Sequence, residues 1–250
     1  MKIHKNKFKG VVVSSKANYL NVDIDIDDYP NALALVENMK VLRLLCKPRS
    51  KLKYIGHSIY PGDKVLVEEV DWKLRNGVIC NIQDRNSLIK RPPVANVTNV
   101  VVLLSVSQPK LALDQASRFL ITAEKVGMEV TLVLTKIDLI SSDKLIQLIK
   151  QLQDWCYSPI PISLKQGKGI EVLLRKLKST YLSVLCGPSG VGKSSLINYM
   201  LPDQSISTAP VSTKLKRGRH TTRNVELFYL SNGSLVADTP GFNRPDLEIE

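Results

Sequence analysis

From Leu20 to Asp27 the chain alternates strictly, with Leu20, Val22, Ile24 and Ile26 apolar and Asn21, Asp23, Asp25 and Asp27 polar between them. A period of two predicts a strand with one face in a core and the other in water. Gly10-Val11-Val12-Val13 and the runs around Val41 to Leu45, Lys64 to Val67 and Gly77 to Ile82 add further strand signals, punctuated by Tyr29-Pro30 and Pro61-Gly62-Asp63. No sustained helical stripe interrupts them. A small barrel of about five strands is the economical arrangement, because closure removes the edges that short strands would expose.

Arg91-Pro92-Pro93 predicts a boundary, since two successive prolines disrupt any ladder or helix. Beyond it the periodicity changes. Val100 to Val106 is nearly continuously apolar, and Ala116, Phe119, Leu120 and Ala123 recur at helical spacing. Val130 to Leu134 again reads as a strand, followed by the stripe Leu145, Leu148, Ile149 and Leu152. Ile160 to Ile162 is a short strand, Ile170, Leu173, Leu174 and Leu177 form a third stripe, and Tyr181 to Leu185 is another buried run. Strands alternating with amphipathic helices predict βαβ units on a parallel sheet. The expected organisation is a β-barrel over residues 1–92 and an α/β domain over residues 93–250.

The 250 residues are 44% hydrophobic and 23% charged, which suits a globular chain and excludes intrinsic disorder. No apolar run reaches the roughly 18 residues of a membrane span, and no hydrophobic segment follows the basic N-terminus. A cytoplasmic, membrane-free location is expected. The net charge of +12 raises nucleic acid as a partner. Cys46, Cys80, Cys156 and Cys186 are too scattered for a zinc pair and are expected to be reduced and mostly buried.

Gly187-Pro188-Ser189-Gly190-Val191-Gly192-Lys193-Ser194 fits G-x-x-x-x-G-K-[ST], after a buried run and before a helix that starts near Ser194 and Ser195. Its glycines let backbone N–H groups turn inward around phosphate oxygens. Lys193 would reach the β- and γ-phosphates, and the Ser194 hydroxyl would ligate Mg²⁺. Asp238, at the end of the apolar Ser234 to Ala237 and in Asp238-Thr239-Pro240-Gly241, is placed to hold Mg²⁺ through water. Thr135-Lys136-Ile137-Asp138, at the end of the Val130 to Leu134 strand, resembles the guanine-reading motif Asn-Lys-x-Asp of GTPases. Asp138 would accept two hydrogen bonds that adenine cannot offer, while the Lys136 stem packs on the base. The plainer alternative is a strand-to-helix turn with a capping Asp.

In ordinary GTPases the phosphate loop precedes the base-reading motif; here Asp138 precedes Lys193. Such an order is feasible because domain termini often lie close together. With Ala95-Asn96-Val97 at the junction, Gly218-Arg219-His220-Thr221-Thr222 and Asp238-Thr239-Pro240-Gly241-Phe242, the chain resembles the circularly permuted GTPases, and among them the RsgA-type small ribosomal subunit biogenesis GTPases. The resemblance implies an N-terminal OB-fold, a circularly permuted P-loop GTPase domain, GTP hydrolysis stimulated by the small ribosomal subunit, and late maturation of that subunit through contact with its rRNA. The expected nucleotide-binding residues are Thr135, Lys136, Asp138, Gly187, Pro188, Ser189, Gly190, Val191, Gly192, Lys193, Ser194, Ser195 and Gly241, with Ser194, Thr222 and Asp238 for Mg²⁺.

Two departures qualify the resemblance. Thr135 stands where Asn is usual and loses the amide, which predicts weaker nucleotide affinity. The zinc-binding segment expected of full-length members has no ligands here, so the chain is expected to be a fragment or a natural truncation. Phe242 cannot orient an attacking water, which predicts slow intrinsic turnover. His220 or a ribosomal group would supply that role, and Thr221 or Thr222 would sense the γ-phosphate.

Lys40, Arg43, Lys47, Arg49, Lys51 and Lys53 form one basic run without an acid, and Lys214, Lys216, Arg217, Arg219 and Arg223 form another. Both are expected to contact rRNA phosphates, the second in a GTP-dependent way. The leading reading is a monomeric GTPase that docks on rRNA and leaves after hydrolysis. Its rivals are a GTP-dependent RNA-binding switch with negligible hydrolysis and a non-ribosomal ATPase, the latter disfavoured by Asp138.

Overall fold

The computed structural model describes residues 7–16, 18–25, 41–54, 58–125, 127–201 and 225–238. These fall into two compact units. The first draws on Met1–Leu88, Pro93–Asn96 and Asn224–Leu227, the second on Ile89–Pro92, Val97–Arg223 and Phe228–Glu250.

The first unit contains the strands β1 (Phe8–Lys16), β2 (Tyr19–Asp25), β3 (Val41–Pro48), β4 (Lys64–Asp71) and β5 (Asn76–Ile82). Their order is β1-β2-β3-β5-β4, and β4 pairs back onto β1, so the sheet closes. This is the predicted five-stranded barrel. Alternation explains the closure: Leu20, Val22 and Ile24 of β2 and Leu42, Leu44 and Cys46 of β3 all point into one core with Val12, Val65, Val67 and Ile79. Phe8 and Trp72 pack edge to face beside it, ring centroids 5.0 Å apart. A short helix α1 (Ser50–Tyr54) follows β3.

The outer face is less simply polar than its pattern predicts. Asp23 is only 4% exposed, lying beneath Arg43, whose Nε and Nη2 donate to its two carboxylate oxygens at 2.8 and 3.0 Å. Glu68 is likewise buried and pairs with Arg49. Two arginines of the first basic run are therefore engaged by buried carboxylates of their own barrel. The acids that neutralise them come from other strands, which is why the run looked free of acid. Lys47 instead lies 4.8 Å above the Tyr19 ring.

The double proline also behaves differently from expectation. β6 (Leu88–Lys90) and β7 (Pro93–Ala95) form a two-stranded ladder with Arg91 and Pro92 at its turn. Proline is tolerated there because it sits at the turn and at the first position of a strand.

The second unit is an α/β sheet in the order β10-β9-β8-β11-β13, every one of these pairs parallel. Its members are β8 (Asn99–Ser105), β9 (Glu129–Thr135), β10 (Ile160–Pro161), β11 (Leu182–Cys186) and β13 (Leu235–Asp238), and a further strand β12 (Glu226–Tyr229) is divided between the two units. All residues of β8 and β11 are buried, as expected of central strands covered on both faces. Helices α2 (Leu113–Lys125), α3 (Ser142–Asp154), α4 (Ile170–Lys178) and α5 (Lys193–Met200) alternate with them. The α2 stripe Ala116, Phe119, Leu120 and Ala123 is wholly buried, whereas of the predicted α3 stripe only Leu152 is. β12 had no periodicity long enough to announce it.

A polar ladder crosses this apolar sheet. Thr131 Oγ1 donates to Asn99 Oδ1 at 3.0 Å, and Asn99 Nδ2 donates to Ser183 Oγ at 3.1 Å. Asn99 and Ser183 are fully buried. Each partner satisfies the next, so the burial costs little. The ladder fixes the register of β9, β8 and β11, which matters because chain order runs from β8 outward to β9 and then returns to β11 on its other side. The carboxyl ends of β8 and β11 thus form a topological switch point, where ligands of open α/β sheets bind.

Candidate functional site

At the carboxyl end of β11 the chain turns immediately at Gly187. Its φ is 139°, and a Cβ there would lie 2.1 Å from the Leu103 carbonyl oxygen of β8, so only glycine fits. Gly190 and Gly192 also have positive φ, 83° and 101°. Val191 between them is buried, and α5 begins at Lys193 with Leu196 N–H donating to Gly192 O at 2.8 Å. Pro188 and Gly190 are half-buried and Ser189 is exposed at the loop tip. Ser194, half-buried, and Ser195, exposed, open the helix.

Lys193 folds back over this loop, donating from Nζ to the carbonyls of Gly187 at 2.6 Å and Pro188 at 3.0 Å. Burial lowers its pKa to about 8, partly opposed by Cys186 and by the Asp238 carboxylate at the end of β13. A desolvated ammonium is stabilised by an arriving anion, so the loop suits phosphate. Ser194 and Asp238 supply a hydroxyl and a carboxylate, hard oxygen donors that suit Mg²⁺.

The Thr135–Asp138 turn, expected from the sequence to read a base, lies at the end of β9 in the same unit. Thr135 is buried and its Oγ1 donates to the Val191 carbonyl at 2.7 Å, with Leu104 O at 3.4 Å. Lys136 adopts φ 60°, and its Nζ donates to Gly190 O at 2.8 Å and also to Gln108 O. Two successive residues of the turn are thus tied to carbonyls of the Gly187–Ser194 loop. Asp138 sits in the 3₁₀ turn Ile137–Leu139. Its Oδ1 accepts from Ser163 Oγ at 2.6 Å. That hydrogen bond, chiefly, holds the carboxyl below its ordinary range, with Lys165 and Lys136 adding to it.

Sequence reasoning missed Ser163. It is fully buried just beyond β10, exchanges backbone hydrogen bonds with Lys168, and its Oγ accepts from Gln166 N–H at 3.2 Å. Gly169 closes this loop, since a Cβ there would lie 2.0 Å from Pro161 O. The available signal was a hydroxyl residue at the end of a short strand followed by the glycine-rich Lys165-Gln166-Gly167-Lys168-Gly169, the same strand-end position as Thr135.

His220, Thr221, Thr222, Gly241 and Phe242, and the basic run from Lys214 to Arg223, lie outside the described residues, as does Lys40. Among the described residues no three or more His, Cys, Asp or Glu groups gather as a metal site, and no helix is long and apolar enough to cross a membrane. Cys46 and Cys186 are buried, Cys80 is half-buried and Cys156 is exposed.

The profile of the RsgA GTPase family matches residues 82–248. A small ribosomal subunit biogenesis GTPase RsgA of Prochlorococcus marinus is 52% identical over all of this chain and 81% of its own length. Among solved structures, YjeQ from Thermotoga maritima is 31% identical with a TM-score of 0.76, covering 96% of this chain and 77% of its own. YloQ, a circularly permuted GTPase, is 24% identical and shares the fold, with a TM-score of 0.72 over 98% of this chain and 75% of its own.

Proposed function

Because the chain belongs to the RsgA GTPase family, we propose that it hydrolyses GTP in the biogenesis of the small ribosomal subunit, binding its rRNA and using the GTP state to govern docking and release. The observation that carries this reading is the tie between the base-reading turn and the phosphate loop, Thr135 Oγ1 to Val191 O and Lys136 Nζ to Gly190 O. A pocket in which both ends of a nucleotide are read by one pre-assembled unit binds without the cost of organising itself.

In this reading Asp138 accepts from the guanine edge, the stem of Lys136 covers the base, and the amides between Gly187 and Ser194 cradle the phosphates. Lys193 moves from the Gly187 and Pro188 carbonyls to the β- and γ-phosphate oxygens. Ser194, Asp238 and Thr222 would hold Mg²⁺, which would supply charge neutralisation at the phosphates. His220, Thr221 and Thr222 act on the γ-phosphate side. The protein works as a cytoplasmic monomer. The barrel contributes rRNA phosphate contacts through Lys47 and Lys51 rather than through the paired Arg43 and Arg49.

The test is GTP turnover with and without purified small ribosomal subunits, run beside Asp138→Asn assayed for GTP and XTP binding. Stimulation by the subunit and a shift of the variant toward XTP are expected. No stimulation would overturn the ribosomal role, and unchanged GTP affinity in Asp138→Asn would overturn the guanine assignment.

A further inference from the structure

We infer that Ser105 is a positioning residue of the guanine-nucleotide site, and that the loop after β8, Ser105 to Pro109, is a third wall of that site beside the phosphate loop and the base-reading turn. The inference rests on the guanine reading of Lys136 and Asp138.

Ser105 ends β8, directly opposite Thr135 in the β8–β9 ladder, and is only 2% exposed. Its Oγ accepts from the Gln108 N–H at 3.1 Å and the Ser107 N–H at 3.4 Å. Such a side-chain-to-backbone turn substitutes for ladder hydrogen bonds and folds the chain back on itself. Here the fold-back presents the Gln108 carbonyl to Nζ of Lys136, whose second acceptor is Gly190 O of the phosphate loop.

The consequence concerns a lysine with a long flexible stem. Free, it samples many rotamers and loses that freedom when a base packs on it. With Nζ seated between carbonyls from two separate loops, the stem is already extended along the base position before nucleotide arrives, and the ordering cost no longer falls on binding. Ser105 touches no nucleotide in this arrangement; it acts through Gln108 and then Lys136. Alanine at position 105 would leave two backbone N–H groups without their acceptor and release the carbonyl that holds the lysine.

The measurement is fluorescent-GDP affinity and release rate for the wild type, Ser105→Ala, Ser105→Thr, Lys136→Met and the double variant Ser105→Ala/Lys136→Met. Ser105→Ala should raise Kd about three- to tenfold, the scale of one lost hydrogen bond, mostly through faster release. Ser105→Thr keeps the hydroxyl and should stay within about twofold of wild type. In the Lys136→Met background the Ser105 substitution should add less than about twofold, because its route to the base is already cut. Ser105→Cys, similar in volume but a poor acceptor, replaces the Ala variant if that chain does not fold. Equal losses in both backgrounds would make Ser105 merely structural, and no loss in either would remove it from the site. Failure of the guanine reading itself shows separately, as unchanged GTP affinity in Asp138→Asn.

Discussion

The Ser163 hydroxyl donates to Asp138 at 2.6 Å and is the largest influence holding that carboxyl below its ordinary range. In the proposed guanine reading the ionised carboxylate is the accepting form, so affinity should be lost as pH falls through its pKa. Ser163→Ala should raise that pKa, move the acid loss of GDP affinity to higher pH, and weaken binding about three- to tenfold near neutrality. Fluorescent-GDP titrations from about pH 6 down to about 2.5 would check it, superimposable profiles for variant and wild type being the adverse result.

Lys193 predicts the opposite limb. Its pKa is lowered to about 8 by burial. Phosphate favours the charged form, so above that pH binding must first bring a proton, and affinity should fall by up to about tenfold per pH unit. The fold itself should not weaken in that window. A lysine with a depressed folded pKa lets the unfolded chain bind more protons between pH 8 and its ordinary value of 10.5, so this group's contribution to stability rises there. GDP Kd measured beside thermal unfolding across this range separates the two effects.

The barrel offers a contrast between two cations of one strand. Arg43 covers the buried Asp23, while Lys47 rests on Tyr19 at the surface. Arg43→Ala strands a buried carboxylate and should cost about 2 kcal/mol, read as a lower Tm, with little change in the salt dependence of RNA binding. Lys47→Ala should leave Tm nearly unchanged and reduce the slope of log Kobs against log salt by about 0.7 to 0.9. Reversed behaviour would place the RNA surface on the arginines.

At Gly187 there is no space for a side chain, because the Leu103 carbonyl occupies the place of a Cβ. Gly187→Ala should push β11 from β8, lower Tm, and abolish GDP binding at concentrations that saturate the wild type. A variant with unchanged Tm and affinity would contradict the close approach.

Periodicity made the barrel strands and the parallel-sheet strands legible, and the phosphate loop could be read because its glycines and Lys193 are consecutive. What stayed hidden depends on residues brought together by the fold. Asp23 looked solvent-facing since nothing in its own strand reveals that Arg43 lies across it. Ser163 and Ser105 sit at strand ends as ordinary hydroxyl residues, and only their acceptors and donors give them a role. Thr135 lacks the amide usual at its position, and only the fold reveals that its hydroxyl holds Val191 O. β12 is four residues long, too short for its period to register.

The buried bond between Asn99 and Ser183 joins strands whose paired residues stand 84 positions apart. β8 and β9 are linked by one helix and close a short loop, whereas β11 must travel past two further helices before it docks beside β8. Contacts of such separation carry a larger loop-closure cost. The turn after β9 thus rests on strands joined by a single connection, whereas the Gly187–Ser194 loop has its β8 neighbour only through one long-range pairing, so the capacity of that loop to hold a phosphate is tied to the pairing that costs the chain the most entropy.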